Sequence, residues 1–146
     1  MSIDRYDFGG LLFTFTYKYN RLLRKFCADS GLYMGQPRIL ALLRDNPGCT
    51  LSELSELAGI GMPSLSVSVR NLKKSGLLRY GDNGHTRGRE MFITEEGLAK
   101  LNHFNIEFDS FLQTFQAELG PERASVFNEE LYNMQQFISR YSHQED

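Results

Sequence analysis

The stretch TLSELSELAGIGMPSLSVSVRNLKKSG, residues 50–76, decides how this chain is read. Thr50 is followed three residues later by Glu53, a capping-box pattern in which each side chain satisfies a backbone N–H at a helix start. That helix is short because Gly59 closes it, and Leu51, Leu54, Leu57 and Ala58 are its expected buried face. Ile60-Gly61-Met62 then turns tightly into a further helix with Pro63 near its first position, where a missing N–H costs nothing. The second helix runs to about Ser75 and meets Gly76. Leu65, Val69 and Leu72 fall at i, i+4 and i+7 and form one inward stripe, while Pro63, Ser64, Val67, Arg70, Asn71 and Lys74 point away from it. Ser66 sits on the flank and Ser68 toward the buried side. An outward face of small hydroxyls, one valine and two cations makes a poor core and a good groove reader.

Downstream of Gly76 the period changes to two. Leu77-Leu78-Arg79-Tyr80 enters the glycine-rich run Gly81 to Arg89, and Glu90-Met91-Phe92-Ile93-Thr94 leaves it, which predicts two strands around a long tip, a wing. Upstream, a helix is expected from about residue 35 or 36 with Pro37 in its first turn and Ile39, Leu40, Leu42 and Leu43 inward, ending at Asn46-Pro47-Gly48. Before it, Leu11, Leu12, Phe15, Tyr19, Leu22 and Phe26 recur at three- and four-residue steps from Phe8 to about Ala28, the spacing of an amphipathic helix.

From Glu95 a long helix carries Leu98, Leu101, Phe104, Phe108, Phe111, Leu112, Phe115 and Leu119 on one face until Gly120-Pro121 breaks it. A last helix with Val126, Phe127, Leu131, Met134, Phe137, Ile138 and Tyr141 is expected to pair with it antiparallel. These aromatic stripes are too extensive for one small helix pair to bury. Dimerisation is the economical explanation, through Phe8, Leu11, Leu12 and Phe15 of the first helix together with Phe111, Phe115, Phe137 and Ile138.

Composition agrees with one compact domain over residues 1–146. Hydrophobic residues make up 41% and charged residues 23%, which fits neither a disordered nor a fibrous chain. No apolar run approaches the roughly 18 to 20 residues of a membrane span, and MSIDRYDFGG lacks the basic-then-apolar pattern of a signal peptide, so a soluble, cytoplasmic protein is expected. The net charge of −2 hides an asymmetry: residues 1–35 sum to +2, residues 36–94 to +3 and residues 95–146 to −7. Between 62 and 89, Arg70, Lys73, Lys74, Arg79, Arg87 and Arg89 stand against Asp82 alone, a local field that attracts a polyanion.

Catalytic classes find no foothold. Nucleophile elbows, phosphate-binding Walker loops and dinucleotide fingerprints are absent, and the glycine-rich tip precedes a strand rather than opening a helix. His85, His103 and His143 share no metal-ligand spacing with one another or with Cys27 and Cys49, and no cofactor is implied. The two cysteines are not spaced as a CxxC pair. Cys49, just before a helix start, is a better setting for a reactive thiol than Cys27 after Arg24 and Lys25, though both read first as small buried side chains.

Thr50-Leu-Ser-Glu-Leu-Ser-Glu-Leu-Ala, Pro63 to Leu78 ending in Asn-Leu-Lys-Lys-Ser-Gly-Leu-Leu, and Thr86-Arg-Gly-Arg leading to Phe92-Ile-Thr-Glu-Glu-Gly together resemble the multiple-antibiotic-resistance regulator (MarR) family of bacterial transcription factors. The resemblance implies a mostly α fold with a small β-hairpin wing: a winged helix-turn-helix lobe, residues 35–94, flanked by dimerisation helices at 1–34 and 95–146. It implies a homodimeric repressor on a pseudo-palindromic duplex, with recognition helices in successive major grooves and wing arginines in the minor groove. On this chain the DNA-binding positions are then Ser64, Ser66, Val67, Arg70, Asn71, Lys74, Arg87 and Arg89. A crevice for small aromatic or anionic effectors is also implied, and Tyr33, Arg38 and Tyr17 or Tyr19 are placed there. Two positions depart from the family: His85 stands where an aspartate usually braces the wing arginine, here Arg87, and Val67 stands where an arginine is frequent. A protein-binding winged helix and a thiol-based redox regulator are the competing readings.

Overall fold

The computed structural model describes residues 6–82 and 88–142, and its elements follow the expected order. They are α1 (Phe8–Asp29), α2 (Gln36–Asp45), α3 (Leu51–Ala58), α4 (Met62–Lys74), β1 (Leu78–Tyr80), β2 (Met91–Ile93), α5 (Glu95–Leu119) and α6 (Pro121–Ser142). No helix among the described residues is long and apolar enough to cross a membrane. The chain falls into two compact units, Met1–Phe108 and Asp109–Asp146.

In the first unit, α2 packs on α3 and on β2, α3 on α4, and α4 on β1. The most deeply sealed large side chains of this unit are Ile39, Leu40, Leu43, Leu54, Leu65, Leu72, Leu77, Leu78, Met91 and, on α5, Leu101. Each contributes about 1.5–3 kcal/mol by leaving water, so the lobe that carries α4 is the best-supported part of the chain. The α4 stripe is buried as the spacing predicts, at Leu65, Val69 and Leu72.

The Thr50–Glu53 capping box forms in full. Thr50 Oγ1 accepts from the Glu53 N–H at 3.3 Å, and the Glu53 carboxylate accepts from the Thr50 N–H at 2.9 Å. One expectation on this helix fails: Leu57 is 45% exposed, because only Leu54 and Ala58 of α3 face the core. The apolar repeat in an eight-residue helix is too short to fix the angle at which it docks.

The hairpin is antiparallel, with Leu78 opposite Ile93, Arg79 opposite Phe92 and Tyr80 opposite Met91. Cys49 adds an isolated bridge to Met91, so the segment before α3 runs as a third short edge, with the Met91 N–H donating to Cys49 O at 3.0 Å. Where the hairpin ends, Thr94 ties three elements together: its hydroxyl donates to Gly76 O at 2.7 Å and accepts from the Gly97 N–H at 3.0 Å. The amide of Thr94 donates to Leu77 O at 3.1 Å.

α1 meets α5 through Phe26 and Phe104, edge to face at 6.5 Å, and Phe104 stacks on Phe108 at 5.3 Å. The expected apolar face of α1 is open toward its N-terminus, where Phe8, Leu11, Leu12 and Phe15 are exposed. In the second unit Phe111 stacks on Phe115, and Phe115 meets Phe127 of α6 edge to face at 5.7 Å. α6 buries no residue, and Val126, Leu131, Phe137, Ile138 and Tyr141 on it are exposed.

Candidate nucleic-acid interface

α4 presents the face that its sequence pattern predicts. Pro63, Ser64, Val67, Arg70, Asn71 and Lys74 are exposed, Ser66 and Ser68 half-buried, and the Ser68 hydroxyl donates to Ser64 O at 3.3 Å. Val67, at 51% exposure, is a solvent-facing methyl pair in the middle of a polar surface, suited to an apolar contact such as a thymine methyl. Lys73 and Lys74 lie in the last turn, where cations also favour the helix dipole. The ion pairs among the described residues join Arg44 to Asp45 and Lys100 to Glu96, so none neutralises Arg70, Lys73 or Lys74.

Beside this face lies a recess of about 430 Å³ between the start of α3, α4 and the hairpin, lined in part by Thr50, Ser52, Ser66, Arg70, Tyr80 and Arg89. The Arg89 guanidinium lies over the Tyr80 ring at 4.9 Å, and Lys73 Nζ approaches the same ring at 6.0 Å. Arg79 covers Phe92, its cross-strand partner, at 4.5 Å. Sequence reasoning placed Arg89 at the wing but gave Tyr80 no role. The signal was present in the alternation of β1, which sets Tyr80 on the same face as buried Leu78 and beside the returning arm. Arg87 and His85 lie outside the described residues.

The residues expected around an effector lie on α1 (Tyr17, Tyr19), between α1 and α2 (Tyr33) and on α2 (Arg38). Tyr33 lines a recess of about 630 Å³ with Arg24, Cys27, Gly31, Leu32 and Met34. Tyr19 stacks on Phe15 at 6.0 Å, Arg38 reaches Ala58 O at 3.5 Å, and Tyr17 is exposed on α1. Arg24 brings a cation to the Tyr33 recess.

Both thiols are buried, and burial pushes each of them up; Glu53 raises Cys49 further. That is the opposite of the lowering that a thiolate sensor needs. Cys49 is 6% exposed and its backbone bridges to Met91, a pairing the sequence did not reveal. Among the described residues no group of three or more His, Cys, Asp or Glu is placed to hold a metal ion.

A helix pair ending in an exposed, cationic second helix and followed by a two-stranded wing defines a winged helix-turn-helix protein. Residues 30–88 match the sequence model of the MarR family. That match takes in the winged-helix segment, and solved structures of low sequence identity share the fold. Staphylococcus aureus MepR, solved as a DNA complex, superposes with a TM-score of 0.79 at 17% identity, over 92% of this chain and 99% of that one. The transcriptional regulator PcaV of Streptomyces coelicolor, solved with its natural ligand, gives 0.77 at 21% identity over 93% and 97%. An uncharacterized protein of Methanocaldococcus jannaschii is 35% identical over 72 residues, 49% of this chain and 25% of its own length, so the chain spans about a quarter of that relative.

Replacing Arg70 by alanine tests the interface directly. If Arg70 makes a bidentate guanine contact, binding to the preferred site should weaken by about 1–3 kcal/mol while random duplex is little affected; a phosphate contact gives a uniform loss across sequences. Titration of both duplexes by fluorescence anisotropy distinguishes the two, and unchanged affinity on both removes Arg70 from the interface.

Proposed function

We propose that this chain is a transcriptional regulator, a repressor, that binds duplex DNA sequence-specifically as a homodimer on a pseudo-palindromic operator. The observation that carries the reading is the exposed face of α4: Ser64, Val67, Arg70, Asn71 and Lys74 on a helix anchored by buried Leu65, Val69 and Leu72, with cations that no carboxylate among the described residues neutralises. Such a helix fits the major groove of B-DNA, which presents a distinct donor and acceptor pattern for each base pair. Lys74, at the helix end, would lie toward a phosphate, fixing register without reading sequence. The DNA complex of MepR, a protein of the same fold, supports the assignment.

The homodimer is supported by the apolar side chains left in solvent on α1, at Phe8, Leu11, Leu12 and Phe15, and on α6, at Phe137 and Ile138. Pairing two protomers sets two α4 helices one helical turn of DNA apart, roughly 34–36 Å. A small aromatic or anionic effector would enter the recess beside Tyr33, where Arg24 supplies a cation, and weaken the DNA-bound state.

Filter binding to random duplex DNA at 50 and 200 mM salt separates this function from an enzyme or a protein-only winged helix. A duplex binder making several phosphate contacts loses on the order of 10³-fold or more in affinity over that range. An enzyme or protein-binding module shows no comparable duplex affinity at either salt.

A further inference from the structure

The recess between α3, α4 and the hairpin has a chemistry of its own. We propose that it seats a phosphate of the DNA backbone, and that Tyr80 is the residue that positions Arg89 there instead of in the minor groove; the inference rests on the DNA-binding reading above. Thr50, Ser52 and Ser66 bring hydroxyls to its walls, and Arg70 and Arg89 bring guanidinium groups. The Arg89 guanidinium lies over the Tyr80 ring at 4.9 Å, and no ion pair among the described residues takes up its charge. A guanidinium lying over an aromatic ring uses its face, which leaves the N–H edge free for a bidentate contact with phosphate oxygens.

The backbone fixes Arg89 at the base of the hairpin. The Gly81 N–H donates to Glu90 O at 2.9 Å, so the ladder closes one residue after Arg89. Gly88, at φ +86°, is turned so that a Cβ there would lie 3.7 Å from the Thr50 side chain. Arg89 therefore leaves the chain where it has already returned to the body of α3. From that point its side chain stays alongside α4, where a strand of the duplex flanking the groove would run.

The proposal separates Arg89 from the minor-groove role that the wing arginines were expected to share. Anisotropy titrations with fluorescein-labelled random duplexes, one pool rich in A·T and one rich in G·C, at several salt concentrations, test it. Arg89→Ala should weaken binding by the same factor on both pools, about tenfold, and lower the slope of log K against log salt by about one. Tyr80→Leu should reproduce both changes, while Tyr80→Phe, which keeps the aromatic face, should behave as wild type. A loss confined to the A·T-rich pool would return Arg89 to the minor groove, and an unchanged slope for Arg89→Ala would empty the recess of its phosphate. A wild-type slope for Tyr80→Leu would remove the positioning role. Should Tyr80→Leu not fold, Tyr80→Met, also without an aromatic face, takes its place for the positioning role, while the exposed Arg89→Ala decides the phosphate seat by itself. A wild-type chain that binds neither pool defeats the DNA-binding reading itself, and the phosphate seat with it.

Discussion

A chain ending at Gly120 should keep a folded winged-helix lobe, sediment as a monomer and lose about 100-fold or more in affinity for a duplex carrying two half-sites. The reason lies in what α6 does and does not bury. It has no buried residue, and the largest sealed side chains of the described protein all lie between Ile39 and Leu101. Removing α6 therefore leaves the core of the lobe intact. What goes is the apolar surface of Val126, Leu131, Phe137, Ile138 and Tyr141, exposed in the single chain and costly to leave in water. Two linked recognition helices gain avidity of roughly 10²–10⁴ over one, and the truncated chain forfeits it. Circular dichroism tests the retained lobe and sedimentation velocity the lost dimer. A truncated chain that remains a well-folded dimer would overturn the assignment of α6 to the interface.

Gly97→Ala should be among the most damaging single substitutions, although it sits in a helix where alanine is intrinsically preferred by about 1 kcal/mol. A Cβ at Gly97 would collide with the carbonyl oxygen of Leu77 and lie 3.0 Å from Ile93 Cγ1. The carbonyl cannot retreat easily. Leu77 O accepts from the Thr94 N–H at 3.1 Å, the Leu77 N–H donates to Leu72 O at 2.9 Å, and Thr94 Oγ1 holds Gly76 O at 2.7 Å. Overpacking a fixed backbone costs about 1–3 kcal/mol, and here the upper end is expected because backbone rather than a flexible side chain obstructs the new methyl. Thermal unfolding should show a fall of roughly 10 °C. The same junction sets where α4 ends and β1 begins, so DNA affinity should fall with it. A melting temperature equal to wild type would mean that α5 can slide on β1.

How much of this was legible in the sequence depends on how local the cause is. The capping box at Thr50 and Glu53, the left-handed closure at Gly59 and the Leu65, Val69, Leu72 stripe are decided within one or two helical turns, and each stands where its residues place it. The Ile93-Thr94-Glu95-Glu96-Gly97 run was legible as a pattern resembling the family's wing exit. Its cause, a glycine wedged against the Leu77 carbonyl, depends on residues twenty positions apart. Leu57 misled because eight residues do not fix a docking angle, and Tyr80 was passed over because a stack on Arg89 needs the hairpin closed first. The apolar faces of α1 and α6 were legible as faces. An amphipathic repeat states that a stripe needs covering, without stating whether the same chain or a second copy covers it.

The central claim, a dimer that reads sequence on duplex DNA through α4, is tested most directly by selection from a library of random duplexes with the purified chain, followed by sequencing of the bound fraction. The account predicts enrichment of an inverted repeat whose half-sites are centred about 10 base pairs apart, the spacing that two recognition helices on one face of the duplex require. A bound fraction no different from the starting library, or an enriched site without two-fold symmetry, would contradict it.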